Sequence, residues 1–598
     1  MAAADVADPE VQEVAWDLEP LVDGEGEAGV DRQLAEAHER AGKFAAQYAG
    51  KLAELDGPGF EAAMRELASL SELIGRAGSF ASLRFSVDTQ APENGALIAK
   101  VTEQATAIET QLVFFELEWA ALDDAKAEEL LQHPRLEFAA HYLRNARRYR
   151  PHLLSEAEEK LLAEKGQTGS GAWSRLFAEL LARVKVGEES LEVALSRLMS
   201  PDREVRKETA ESITQALEPG LRTRAFIVNT LALDKAIDDR LRKYPSWISA
   251  RNLSNEASDE SVEALVTAVQ NRYDLPQRWY KLKAKLLGID KLADYDRMAA
   301  LSQADERITW PEARDMVRDV YGEFSGELGD VVQGFFDGNY IDAPVREGKR
   351  GGAFCAYTVP SQHPYVMLNW TSRRRDVLTL AHELGHGVHA ALARPQGVFQ
   401  QGTPLTLAET ASVFGEELTF GRLLAETPDP EQRLSLLAES IEGQIATVFR
   451  QIAMNRYEHA LHTARREEGE LSVDRINELW RTSQEAMLGD SVEISEGYGT
   501  WWSYVPHFIN TPGYVYAYAY GQLLALSVYR RYEEEGEAFV PAYLDMLRAG
   551  GSKSPEELGK IVGVDLADPG FWDAGLDLVA RQLTAAEDAA REARGISI

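Results

Sequence analysis

The sequence predicts a mostly helical protein with one small β-sheet. Three observations lead there. Apolar residues recur at spacings of three and four over long stretches, helix-start signals are legible, and only one segment breaks into short runs rich in aromatic and β-branched residues. In chain order, "DGPG" (56–59) reads as a loop. Val101, Ala105, Ile108, Leu112, Phe115 and Trp119 then form an apolar seam, the buried face of a long helix. "KGQTGSG" (165–171) breaks the rhythm, and Ser200-Pro201-Asp202 offers an N-cap, a first-turn proline and an acid suited to the helix dipole.

After a further breaker, "REGKRGG" (346–352), the segment "GGAFCAYTVPSQHPYVMLNW" (351–370) reads as two strands separated by Pro and Ser. Helical period resumes across "TLAHELGHGVHAAL" (379–392), stops at "ETPDPEQ" (426–432), and returns at Ile441, Ile445, Val448, Phe449 and Ile452. The Gly- and Pro-bearing aromatic stretch 488–513 is expected to be a mobile closing loop. Tyr516 and Tyr520, at helical spacing beyond it, are expected to pack in the core.

Composition excludes several classes. With 97 acidic against 63 basic residues the net charge is −34, so neither nucleic acid nor an anionic membrane surface is an expected partner, since both require a basic face. The single cysteine, Cys355, rules out an intrachain disulfide and suits a reducing compartment. The acidic N-terminus lacks the basic start and apolar core of a secretory signal, and no apolar run approaches the ~20 residues that span a bilayer. A cytoplasmic, soluble protein is expected.

Three of the 11 histidines fall within eight positions, at 382, 386 and 389. His382 and His386 are four apart, which stacks both imidazoles on one helix face a turn apart, where they can hold a metal. Glu383 sits about 100° round the helix, close enough to act as a general base without coordinating. His389 lies another turn along the same face; its spacing also allows it as a ligand, but a place beside the site is expected. Gly385 and Gly387 remove side chains here, which would let a strand or a bound substrate approach closely. A metzincin would need Gly at 389 and His at 392; the chain has His389 and Leu392. Catalytic zinc normally takes three protein ligands, and "TPLTLAETASVFGEEL" (403–418) offers Glu409 and Glu416, seven apart on one face. One can complete the site while the other orients a ligand histidine, although Thr406-x-x-Glu409 is also a capping-box pattern.

"HELGHGVH" with "LAETASVFGEE" downstream resembles the oligoendopeptidase F branch of the thimet oligopeptidase family of zinc metallopeptidases. "YVPHFINTPGYVYAYAYG" (504–521) is similar to that family's His/Tyr substrate-contact segment, with weaker echoes in "WDLEPL" (16–21), "SPDREVRKE" (200–208) and "GGAFC" (351–355). The resemblance implies a two-lobed helical ellipsoid with a deep central channel, the zinc helix (near 377–392) on its floor and the small sheet beside it. It further implies an N-terminal helical lobe over 1–200 and a catalytic region over 201–598, with the third-ligand helix near 404–423 and the contact segment over 488–521.

By the same resemblance His382, His386 and Glu409 would hold one zinc ion per chain, and Glu383 would be the base. Glu416 and His389 would stand behind the ligands, and His507, Tyr514 and Tyr518 would contact the reacting carbonyl. Gly352, Ala353 and Phe354 would bind substrate backbone as an added strand. Relative to thimet-type members, two extra residues separate His507 from Gly513-Tyr514. The implied activity is zinc-dependent endoproteolysis of short peptides; a helical metallocarboxypeptidase of the gluzincin type is the alternative. No sequence feature bears on oligomeric state.

Overall fold

A computed structural model describes residues 9–301, 307–568 and 570–596; residues 1–8, part of the stretch read for a secretory signal, lie outside it. The class is as expected: the chain is 74% helical, with small sheets and no closed barrel among the described residues. No helix there is long and apolar enough to cross a membrane. The chain forms two compact units, each assembled from three separate segments. The first gathers Met1–Arg150, Asp305–Leu423 and Arg531–Val564; the second gathers Pro151–Ala304, Leu424–Arg530 and Asp565–Ile598. Ser200, where the sequence suggested a boundary between a lobe and a catalytic region, falls inside the second unit. Apolar burial is non-directional, so helices remote in sequence share a core whenever their faces match.

In the first unit, helices Glu27–Tyr48, Gly57–Val87 and Pro92–Ala121 pack together. Val101, Ile108, Phe115 and Trp119 are buried as the seam requires, while Ala105 and Leu112 are half-buried at its edge. Phe60 lies 5.0 Å from Trp119, ring to ring, and the Trp119 indole N–H donates to the Leu143 carbonyl at 2.8 Å. "DGPG" is not a loop. Asp56 is an N-cap whose carboxylate accepts the Gly59 N–H at 2.8 Å, and Pro58 sits in the first turn, where the helix has no use for an N–H.

The two expected strands are present at Phe354–Ala356 and Tyr365–Trp370, paired antiparallel with Cys355 opposite Val366. A third, Ile341–Pro344, runs parallel on the far side of Tyr365–Trp370, leaving Phe354–Ala356 at the sheet edge. Four residues ending in proline gave no alternating pattern to detect. The "REGKRGG" connection is tied down by Lys349, whose buried ammonium donates to Asp342 Oδ1 at 2.6 Å and to the Pro344 carbonyl at 2.8 Å.

In the second unit, Pro430–Gln444 packs along Phe571–Arg594. Ile441, Ile445, Val448, Phe449 and Ile452 are all buried, and the helix widens into a π turn over Ile445–Phe449. Asp202, rather than Ser200, caps Arg203–Leu217 by accepting the Glu204 N–H at 2.9 Å. The stretch expected to be a mobile loop is folded into Gly497–Tyr504 and His507–Asn510. Its Tyr498, Trp501 and Trp502 are buried, with the Trp502 indole N–H on Asn477 Oδ1 at 2.7 Å; so much aromatic surface is held in the core by the area it removes from water.

Candidate metal centre and histidine–tyrosine cluster

Helix Arg374–Ala393 carries the histidines. It starts where Asp376, in the first turn, reaches back to accept the N–H groups of Thr371 and of the N-cap Arg373 at 2.7 and 3.1 Å. Helix Leu405–Glu426 packs directly on it. At Gly385 a Cβ would lie 2.5 Å from the Ala411 carbonyl oxygen and 2.6 Å from Ser412 Cα; at Gly387 it would lie 2.3 Å from the Phe335 ring. The clearance expected to admit a strand or substrate is therefore filled by a neighbouring helix and an aromatic ring. Tyr321 reinforces the contact, its hydroxyl donating to the Ala381 carbonyl at 2.8 Å against Gly415.

That approach brings Glu409 to the histidines. Its Oε2 lies 3.2 Å from His382 Nε2 and 3.5 Å from His386 Nε2, and one donor atom from each of the three side chains falls within 4.8 Å of the others. Tetrahedral zinc with bonds near 2.0–2.1 Å places neighbouring donors ~3.3 Å apart, so this donor set fits a divalent ion. Ser412 Oγ donates to Glu409 Oε2 at 2.8 Å. The helix already begins at Leu405, so Thr406 lies within it rather than ahead of it. Behind His382, its Nδ1–H donates to Glu416 Oε2 at 3.0 Å, which leaves Nε2 directed at Glu409 in the cluster. His389 is buried outside the cluster, with no hydrogen-bond partner for its Nδ1.

The electrostatics separate these groups. Burial pushes the Glu409 carboxyl up, but the bond to His382, the charges of both histidines and the Ser412 hydroxyl outweigh it and hold the group at about 2. Burial opposes protonation of His382 too, yet Glu409 and Glu416 raise it well above the usual imidazole range. His386 and His389 are both drawn down to about 4 by burial. Glu383, also buried, is pushed up to about 7 by desolvation against the pull of His382, with the Cys355 N–H of the edge strand facing its carboxyl.

Tyr357, directly after that strand, was not singled out from the sequence. Burial raises its phenol far above the ordinary range, and Glu409 and Glu383 add to the rise, so it stands among the site acids. A tyrosine inside the segment read as two strands was the available signal. Of the residues expected on substrate backbone, Phe354 is half-buried in the edge strand, Ala353 precedes it, and Gly352 adopts φ +85° while its carbonyl accepts from Asn369 at 2.7 Å.

The second unit gathers the other expected residues. The His507 and Tyr514 rings are nearly parallel at 6.0 Å, and Tyr518 stands edge-on to both, at 6.0 Å from His507 and 5.0 Å from Tyr514. The Tyr518 hydroxyl is 3.4 Å from His507 Nε2. Burial lowers His507, with Arg450 adding to the shift. Tyr516 and Tyr520 are fully buried core residues, their hydroxyls on Asn255 at 3.0 Å and Ser261 at 2.9 Å.

Comparison with known proteins agrees with this picture. The profile described as peptidase family M3 matches residues 197–578, and one described as oligopeptidase F matches residues 118–185. The oligopeptidase PepF of Bacillus subtilis is 28% identical over 557 residues, 91% of this chain and 82% of that protein. The group B oligopeptidase PepB of Streptococcus agalactiae is 29% identical, over 87% of this chain and 88% of its own. Among solved structures, an oligoendopeptidase-F from Enterococcus faecium shares the fold with a TM-score of 0.72 at 23% identity, covering 95% of this chain and 100% of the other.

Proposed function

The chain belongs to peptidase family M3, and from that membership we propose that it is a zinc-dependent endopeptidase of short oligopeptides with Glu383 as its base. Metallo-oligopeptidase activity is the family's; the ion and the residue roles are our reading. The observation that carries it is the convergence of His382, His386 and Glu409 beside a buried Glu383. The two imidazoles and Glu409 would hold the zinc, which when bound supplies Lewis acidity and makes an attacking water acidic enough to ionise near neutral pH. Glu416 keeps His382 in the tautomer that presents Nε2.

Glu383 takes the proton of the attacking water and delivers it to the leaving amine. His507, Tyr514 and Tyr518 are the donors for the oxygen that gains charge, where one well-placed donor is typically worth ~3–4 kcal/mol. The edge strand Phe354–Ala356 has one side unpaired within its sheet and is suited to hold peptide backbone by strand addition, which gives affinity with little sequence preference.

The test is cleavage of internally quenched peptides blocked at both ends, before and after chelation, with metal content measured alongside. Cleavage that is lost on chelation and restored by zinc is the expected result. Cleavage of unblocked peptides alone would make the protein an exopeptidase, and cleavage unaffected by complete metal removal would overturn the zinc role.

A further inference from the structure

The turn that leads into Tyr514 is gripped at both ends of its central peptide. Thr511–Tyr514 is a β-turn, closed by the Tyr514 N–H on the Thr511 carbonyl at 3.1 Å. Pro512 occupies its second position and Gly513, at φ +74°, its third, the pattern of a type II turn. In such a turn the central peptide, here Pro512–Gly513, is the element that can flip. Its N–H donates to Glu458 Oε1 at 2.9 Å, and its carbonyl accepts from Arg251 Nε at 3.4 Å. The turn is also seated sterically, because a Cβ at Gly513 would lie 2.5 Å from Ile248 Cδ1.

Glu458 is an odd residue to find here. It is fully buried in helix Arg450–Glu467, and its Oε2 has no hydrogen-bond partner. A buried carboxyl with a single bond is costly compared with an apolar side chain of the same size. Its one bond goes to the turn from which Tyr514 emerges to lie parallel to His507.

We propose that Glu458 and Arg251 are positioning residues that clamp the Pro512–Gly513 peptide in its type II orientation and thereby direct Tyr514 against His507. The inference rests on Tyr514 acting in peptide hydrolysis. Glu458 works here as an acceptor, so a neutral amide oxygen serves equally well, whereas a methyl group does not. A ring displaced by about an ångström from its working place is enough to cost an enzyme up to a hundredfold.

The experiment uses the full-length, metal-loaded protein and a quenched peptide, and compares wild type, Glu458→Gln, Glu458→Ala, Tyr514→Phe and the Glu458→Ala/Tyr514→Phe double variant. Glu458→Ala is expected to lower kcat about tenfold or more while KM moves less than about twofold. Glu458→Gln is expected to stay within about twofold of wild type, and adding Glu458→Ala to Tyr514→Phe to cost less than about threefold, since the clamp then has no hydroxyl to direct. If Glu458→Ala does not fold, Arg251→Met at the other end of the same peptide takes its place with the same expectation. A wild-type kcat in the clamp variant, equal impairment of Glu458→Gln, or an undiminished loss in the Tyr514→Phe background would overturn the clamp while leaving the peptidase reading intact. A wild type that cuts no peptide overturns that reading, and an unimpaired Tyr514→Phe overturns its Tyr514 role; the clamp falls with either.

Discussion

At the scale of single residues, the site divides its labour between side chains of the same type. Glu383, Glu409 and Glu416 are all glutamates within one cluster, yet their partners differ: Glu383 is pushed up by burial, Glu409 is held down by two imidazoles, and Glu416 takes a ring N–H. Glu383→Gln should leave bound zinc unchanged in metal analysis while kcat falls about 10²–10⁴-fold, the usual worth of a general base; unaltered turnover would take the base role from Glu383. Glu409→Ala should lose the metal outright on dialysis. Glu416→Ala should retain a site that binds zinc about 10–100-fold more weakly, as loss of an orienting carboxylate does; competition with a chelator of known affinity measures the difference. The one-turn spacing of His382 and His386 was readable in the sequence because a helix dictates it. Which carboxylate meets them was open at that stage, since a capping role for Glu409 satisfied the same local pattern.

At the scale of elements, the contact between Arg374–Ala393 and Leu405–Glu426 sets the geometry of the centre. Gly385 sits where the two backbones meet, and the three atoms a Cβ would strike all belong to the main chain of the partner helix. Gly385→Ala should therefore force the helices apart, costing about 1–3 kcal/mol as overpacking does and moving Glu409 away from the imidazoles. Thermal unfolding together with zinc titration checks this; full stability and full affinity would mean that the helices adjust without loss. The glycines were visible from the sequence as side chains missing beside the histidines, but not the element they make room for. In the same way "DGPG" reads as a breaker by composition and becomes a helix start only because Asp56 reaches the Gly59 N–H.

At the scale of the whole molecule, buried titratable groups make stability depend on pH in opposing directions. Burial pushes Glu458 from its ordinary 4.5 up to about 8, against the Gly513 N–H and Arg251, with Tyr457 beside it. The folded protein thus keeps a proton that the unfolded chain releases above pH 4.5, and the stability this represents is lost as pH rises towards 8, at up to about 1.4 kcal/mol per pH unit. His462, drawn down to about 3 by burial, acts in reverse, its contribution being lost as pH falls below its ordinary 6.5. Thermal melts should show Tm declining between about pH 6 and 8, with a shallower decline in Glu458→Gln; parallel curves would remove Glu458 as the cause.

Helical class, the one-turn histidine pair, the glutamate adjacent to it and the strand pair before them were determined by the sequence itself, because each depends on spacing within a few residues and local backbone geometry converts spacing into direction. Which acid closes on the histidines, what fills the space over Gly385, where the third strand pairs, that Tyr357 stands among the site acids, and that Glu458 reaches the Gly513 turn were decided only in the tertiary structure. These are distances between surfaces remote along the chain. They are set by how whole helices pack to bury apolar area, a condition that no short window of sequence contains.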